Sequence, residues 1–229
     1  MGEMVEFPSN GGTGTGYLAV PEAGGAGLGL IVIQEWWGLV PHIEDVCERF
    51  AAEGFTALAP DLYHGAKTTE PDEAGKLLMT LNLDQAAKDM GGAIDFLEAS
   101  DRVRGDGVGV VGFCMGGGLT LMLAAQRPDD VKVAVPFYGF VPWEHAHPDW
   151  SQVQASIVGH YGTEDEFFSP EKAKELEATL QGLGKDVEFH IYDGAHHAFF
   201  NDTRPEVYDA QASDTAWVRT LEILRAKLG

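Results

Sequence analysis

The sequence predicts an α/β domain: a mostly parallel central sheet covered by helices on both faces, preceded by an antiparallel hairpin. Three observations carry this expectation. The apolar runs at residues 28–33 and 108–111 read as buried strands, because strands covered on both faces lose the in/out alternation of half-exposed ones, and the largely apolar segments 55–59, 131–135 and 155–161 read as further strands. Segments of helical period separate most of these runs, and such alternation places successive strands parallel. No repeat, low-complexity stretch or dividing linker interrupts the 229 residues, so residues 1–229 are expected to form a single domain that buries its core without disulfides.

The elements follow in order. Val5 and Phe7, then Tyr17 to Val20, flank the turn Asn10-Gly11-Gly12 and read as the hairpin. After the glycine-rich connection from Pro21 to Gly27 comes the strand Leu28–Ile33, ending at Gln34-Glu35-Trp36-Trp37-Gly38. A helix is expected from about His42 to Glu53, with Val46 and Phe50 inward and Cys47 a small core hydrophobe. Gly54 stops it, the strand Phe55–Ala59 follows, and Pro60-Asp61-Leu62-Tyr63-His64 closes that strand. Short and longer helices are expected at Glu73–Met79 and Asp84–Leu97, the latter with Met90, Ile94 and Leu97 on one face. Gly105-Asp106-Gly107 reads as a turn launching Val108–Val111, and Leu119–Gln126 reads as the next helix. Then come the strand Val131–Val135, an aromatic, histidine-rich loop from Val141 to Trp150, and the strand Ala155–Tyr161. A helix at Pro170–Leu183 begins with proline and ends among glycines. The strand Val187–Tyr192 and a helix from Pro205 to about Leu228 complete the chain; Trp217, Leu221, Leu224 and Leu228 form that helix's apolar stripe.

Composition narrows the function. Acidic residues outnumber basic ones 36 to 15, and a formal net charge of −21 repels phosphate backbones and anionic bilayers, which argues against nucleic-acid or membrane partners. The N-terminal Met1-Gly2-Glu3-Met4-Val5 lacks a basic and apolar leader pattern, and no run approaches the ~18 apolar residues of a membrane span. Two cysteines, Cys47 and Cys114, do not make a disulfide framework. A reducing cytoplasm is the expected compartment.

The chain is organised around Gly112-Phe113-Cys114-Met115-Gly116, between a β-branched strand and a small-residue helix. Strand, glycine-bracketed nucleophile, helix is the pattern of a nucleophile elbow, with cysteine in the usual serine position. The turn is so tight that its neighbours must lack a Cβ, and the central residue is forced into a strained backbone with its sulfur presented. In an open parallel sheet, ligands collect at the carboxyl ends of the strands. Those ends carry Glu35, Asp61, Cys114, Tyr138, Asp165 and His197, and Cys114, Asp165, His197 is the α/β-hydrolase chain order of nucleophile, acid and histidine. His197 would move the thiol proton to the leaving alkoxide, and Asp165 would hold its tautomer. The helix N-terminus after Cys114 favours a thiolate. The backbone N–H groups of Met115 and Trp36 are the expected oxyanion donors. Glu164 and Glu166 compete locally with Asp165, and His196 with His197; Ala198-Phe199 after His197 favours the latter. His145, His147, His160 and His190 find no third ligand of recognisable spacing, so no metal and no cofactor is expected.

These motifs resemble the dienelactone hydrolases (carboxymethylenebutenolidases) of the α/β-hydrolase superfamily, over nearly the whole chain. The marks are Gln34-Glu35-Trp36-Trp37-Gly38, Pro60-Asp61-Leu62-Tyr63, Gly112-Phe113-Cys114-Met115-Gly116-Gly117, Gly162-Thr163-Glu164-Asp165 and Gly194-Ala195-His196-His197-Ala198-Phe199. The resemblance implies a Cys114–His197–Asp165 triad, a thioester intermediate, and Glu35 as a buried carboxylate that helps activate the thiol. It implies a small lactone or activated ester as substrate; separately, a monomer or small homo-oligomer is the expected assembly. Trp37, Tyr63, Tyr138, Phe199 and Arg204 are the expected pocket residues. Two departures stand out. His196 replaces the second glycine of the family's Gly-x-Gly-His. The family's carboxylate-binding arginines also lack counterparts: Asn201 stands four residues after His197, and residues 65–80 contain Lys67 and Lys76 but no arginine. A carboxylesterase acting on neutral esters with the same triad is the alternative expectation. A thiol redox protein lacks a resolving cysteine at useful spacing, and a silent binding module would have little use for the triad.

Overall fold

The computed structural model describes residues 2–22, 25–143 and 146–229. Among them the strands are β1 (Glu3–Ser9), β2 (Gly12–Ala19), β3 (Gly27–Ile33), β4 (Phe55–Pro60), β5 (Val103–Phe113), β6 (Val131–Phe137), β7 (Ser156–Glu164) and β8 (Val187–His196). The helices are α1 (Pro41–Ala52), α2 (Pro71–Thr80), α3 (Leu83–Glu98), α4 (Met115–Gln126), α5 (Pro170–Gly182) and α6 (Ala210–Leu228). The strands form one eight-stranded sheet in the order β1-β2-β4-β3-β5-β6-β7-β8. Two compact units divide the chain, Met1–Val110 with Leu228, and Val111–Lys227 with Gly229.

In the first unit, β1 and β2 pair antiparallel from Glu3↔Leu18 to Ser9↔Gly12. The turn is therefore the two residues Asn10 and Gly11, at φ 34° and 94°, and Gly12 belongs to the strand. Two successive left-handed residues match the right-handed twist of the paired strands, which is why Asn-Gly is favoured there. β2 pairs antiparallel with β4, and β3 runs parallel to β4. Every residue of β3 and β4 is buried, as an interior pair of strands requires. Proline opens α1, whose Ile43, Val46, Cys47 and Phe50 have no accessible surface. The Asn82 side chain caps α3 by accepting the Gln85 N–H at 3.1 Å, and Met90, Ile94 and Leu97 are buried as expected. A Cβ on Gly92 of α3 would lie 2.3 Å from the Pro8 carbonyl oxygen, so this glycine lets α3 approach β1.

Gly105-Asp106-Gly107 is a correction to the sequence reading. These residues lie inside β5, with both glycines at positive φ (91° and 85°), so the strand starts at Val103 and the glycines bend it without ending it.

In the second unit, β6 and β7 and then β7 and β8 pair parallel. All residues of α4 from Met115 to Ala125 are buried, which is why this helix is apolar on every side. β7 and β8 run past Tyr161 and Tyr192 to Glu164 and His196, beyond the expected ends. The last helix starts at Ala210 instead of Pro205, because Asp209 caps it by accepting the Ala212 N–H at 3.0 Å. The histidine-rich loop after β6 contains Glu144 and His145, which lie outside the described residues, as do Ala23 and Gly24 of the connection before β3. Among the described residues, no helix is long and apolar enough to cross a membrane.

Candidate active site

The β5–α4 junction has the geometry the glycine pattern requires. Cys114 sits at φ 54°, ψ −117°, between the last strand residue and the first helical one. An L-residue rarely adopts this conformation, at a cost on the order of 1–3 kcal/mol. The surroundings fix it. The Cys114 N–H donates to the Phe137 carbonyl at 3.1 Å, and the Cys114 carbonyl accepts from Gly117 and Gly118 N–H at 3.0 and 3.3 Å. A Cβ on Gly112 would lie 2.1 Å from the Gly116 oxygen, one on Gly117 2.6 Å from Gly139 Cα, and one on Gly118 1.9 Å from the Phe140 oxygen. The glycines are there because backbone occupies the space a side chain would fill. Cys114 is part-exposed and is not in a disulfide, whereas Cys47 is wholly buried.

The acid and the histidine meet through the β7–β8 ladder. A register shift between Gly162 and Glu164 pairs Glu164 with His196. The residues after that rung, Asp165 and His197, therefore leave the two strands side by side. Glu164, Glu166 and His196 are exposed, whereas Asp165 is buried and His197 is half-buried. His197 Nδ1 donates to Asp165 Oδ2 at 2.8 Å. Asp165 Oδ1 accepts the Phe167 and Phe168 N–H groups at 2.8 and 2.9 Å, which locks the carboxylate plane. Because an ionised carboxylate only accepts, Nδ1 carries the proton. Burial alone would lower the imidazole's proton affinity. Hydrogen bonds to Asp165 and to the Cys114 side chain, together with the charge of both partners, raise its pKa instead to about 10.

Two aromatic rings flank the imidazole. Tyr138 lies 5.0 Å from it, centroid to centroid, and Phe167 4.8 Å. Phe167 is 55% exposed and was not singled out by sequence reasoning; the available signal was a large apolar residue in a strand-end loop directly beside the acid. Tyr138 and Phe199 have no accessible surface, so as expected pocket residues they need correction. Their rings pack on each other at 5.5 Å and form the wall behind His197, without a face for a ligand.

Arg204 forms an ion pair with Glu206 at 2.9 Å, so its charge is directed to a neighbouring acid in the same turn. In the first unit, Gln34 and Glu35 are buried after β3, and Trp36 and Trp37 are half-buried with rings 4.9 Å apart. The loop carrying Tyr63 is tied to this segment: Leu62 N–H donates to Gln34 Oε1 at 3.2 Å, and Asp61 accepts from Tyr63 and Gly65 N–H. Of the histidines weighed as ligands, His147 is exposed and His160 is buried against Tyr192 and Thr220. Among the described residues, no three His, Cys, Asp or Glu side chains converge as a metal set would.

A mostly parallel eight-stranded sheet with a strained residue between strand and helix defines an α/β hydrolase. The crystal structure of a "Putative Dienelactone Hydrolase" from Klebsiella pneumoniae has the same fold, with TM-score 0.89 and 26% identity over 98% of each chain. Residues 15–228 match the model of the dienelactone hydrolase family, and the chain belongs to that family of hydrolases. Two relatives match end to end, covering 100% of both chains. "Protein usf" of Aquifex pyrophilus is 37% identical over 234 residues. A "Putative carboxymethylenebutenolidase" of Aquifex aeolicus is 32% identical over 234 residues.

Proposed function

We propose that this hydrolase opens a lactone or cleaves an activated ester through Cys114, His197 and Asp165, with a covalent thioester intermediate. The observation that carries the reading is the 2.8 Å bond between His197 and buried Asp165, with the Cys114 side chain hydrogen-bonded to the same imidazole. With its pKa near 10, the imidazole holds its proton through the neutral range. The sulfur then attacks the carbonyl carbon, and the carbonyl electron pair moves to oxygen. Collapse of that oxyanion expels the alkoxide, which takes the proton from His197 and leaves an acyl–sulfur bond. The now neutral imidazole deprotonates a water, hydroxide adds to the thioester, and the thiolate departs to restore the resting pair. Asp165 stays ionised throughout and stabilises each imidazolium.

The N–H of Met115, at the start of α4, is the first oxyanion donor, and Trp36 N–H the second. Glu35 takes part in thiol activation, a role supported by its burial and by the family resemblance. Trp37 and Tyr63 belong to the substrate pocket. The family match from residue 15 to 228 runs through both compact units and supports one functional domain. Two free thiols suit a reducing cytoplasm, and the acidic surface suits neither nucleic acid nor anionic membrane. The active form is a monomer or small homo-oligomer.

A second reading, a carboxylesterase for neutral esters, is supported by Asn201, which stands four residues after His197 where the family resemblance calls for an arginine, and by the pairing of Arg204 with Glu206. Redox chemistry has less support, since Cys47 is wholly buried and burial pushes its thiol up.

The test is turnover of an aryl ester, a neutral lactone and an anionic dienelactone by the wild type and Cys114→Ala. Cys114→Ala should lose all three activities, on the order of a thousandfold or more, with an unchanged circular dichroism spectrum. Wild-type activity in that variant overturns the triad, and a preference for the anionic lactone overturns the second reading.

A further inference from the structure

Within the second unit, residues of β7, β8 and α6 line a cleft of about 460 Å³ that contains no member of the triad. Its Val158 precedes the end of β7 by six residues, or ~20 Å of strand from the loop that carries Asp165. Val158, Ile223 and Ala226 are its apolar surface, Arg219 and His190 its basic surface, and the exposed Glu188 and Glu222 its acidic edge.

Arg219 sets this cleft apart. The chain has 36 acidic residues, yet the half-buried Arg219 guanidinium contacts no carboxylate among the described residues. Its Nη1 donates to the Tyr192 hydroxyl at 3.2 Å, and its central carbon lies 5.7 Å from the centre of that ring. Among the described residues, its remaining N–H groups make no hydrogen bond.

A buried relay holds the guanidinium in place. The Tyr192 hydroxyl, accepting from Arg219, lies 2.9 Å from His160 Nδ1, and His160 Nε2 lies 3.1 Å from Thr220 Oγ1. Burial, then the nearby His190 and Arg219 charges, hold His160 well below its ordinary pKa. It is therefore neutral, with Nδ1 accepting from Tyr192 and Nε2–H donating to Thr220. His190 stacks on His160 at 5.6 Å and 20°. Burial and Arg219 also lower its pKa, and its Nε2 is 3.7 Å from Glu188 Oε1, beyond hydrogen-bond length.

We propose that this cleft binds a monoanionic carboxylate bearing a short apolar group, the carboxylate on Arg219 and His190 and the hydrocarbon on Val158, Ile223 and Ala226. A planar guanidinium with unused N–H groups matches two carboxylate oxygens. The apolar wall gives the tail somewhere to leave water. Glu188 and Glu222 repel a second negative charge, so a phosphate monoester is discriminated against. The volume lies within the range of about 300–1,000 Å³ common for small-ligand sites.

The imidazole resonances of His190 in the full-length protein read this directly, with benzoate as probe and benzyl alcohol and phenyl phosphate as comparators. Benzoate should shift them saturably, the alcohol should not, and phenyl phosphate should bind at least about tenfold more weakly. Arg219→Gln should weaken benzoate about tenfold or more. Ala226→Glu, at an exposed position, should do the same and serves if Arg219→Gln does not fold. Cys114→Ala should bind benzoate as the wild type does, which separates this cleft from the triad. An absent shift, an equal response to the alcohol or to phenyl phosphate, or benzoate binding that survives both cleft variants overturns the proposal. So does binding that disappears in Cys114→Ala.

Discussion

At the scale of single residues, His197 of the proposed triad carries the sharpest pH signature. The pKa of His197 rises from an ordinary 6.5 to about 10 on folding, so the folded state holds a proton that the unfolded chain releases between those values. The stabilisation is fully present below about pH 6.5, shrinks as pH climbs, and is gone once pH passes about 10. Asp165→Asn removes its principal support. The melting-temperature difference between wild type and Asp165→Asn should thus be largest at mildly acidic pH and shrink to a pH-independent remainder by about pH 10; a difference that grew with pH would contradict the assignment. Turnover should fall on the order of a thousandfold or more, because an amide no longer holds the productive tautomer. Part of the geometry at this scale was legible in the sequence: glycine spacing marked the strained turn at Cys114, and strand-end positions marked Asp165 and His197, which the structure hydrogen-bonds to each other. Solvent exposure was not. Tyr138 and Phe199 looked like pocket residues because they stand near strand ends, yet both turn wholly inward, while Phe167 turns out over the imidazole.

At the scale of elements, the elbow depends on backbone packed against backbone. A methyl group at position 118 would stand 1.9 Å from the Phe140 oxygen, which no rotamer can relieve. Gly118→Ala should therefore cost about 3 kcal/mol. Thermal melts should show a Tm lower by roughly 6–12 °C, and an unchanged melt would mean the loop after β6 yields freely. Element type was readable because buried parallel strands and amphipathic helices have distinct periods. Element ends were less so. Gly105 and Gly107 carry turn chemistry, and their positive φ bends β5, yet the strand runs on through them. The shift that pairs Glu164 with His196 has no local signature, since it belongs to the ladder between two strands. That ladder is nevertheless what sets the acid beside the histidine.

For the whole molecule, charge is the dominant unbalanced quantity. A formal net charge of −21 on 229 residues means that folding concentrates like charges. Exposed charges are screened once the Debye length shortens to a few ångströms. Raising sodium chloride from ~0.05 M to ~0.5 M should therefore raise stability by about 1 kcal/mol. A corresponding gain of ~2–4 °C in Tm should appear in calorimetry, whereas a fall would show that surface ion pairs outweigh the net repulsion. The sign of this effect is legible from composition alone, because it depends on how many charges there are. The cleft beside Arg219 is not, because Arg219 is one arginine among the basic residues until the fold leaves its guanidinium in contact with no carboxylate among the described residues.

The hairpin turn has a consequence of a different kind. Asn10 and Gly11 are both exposed at the tip between β1 and β2. A glycine after asparagine leaves its peptide nitrogen unshielded, so that nitrogen can attack the asparagine side-chain carbonyl, expel ammonia and close a succinimide ring. Ring opening by water yields aspartate or its isomer, in which the main chain runs through the side-chain carbon. The residue pair best suited to reversing the chain is therefore also the place where the protein records its age, and stored material drifts toward a still more acidic population.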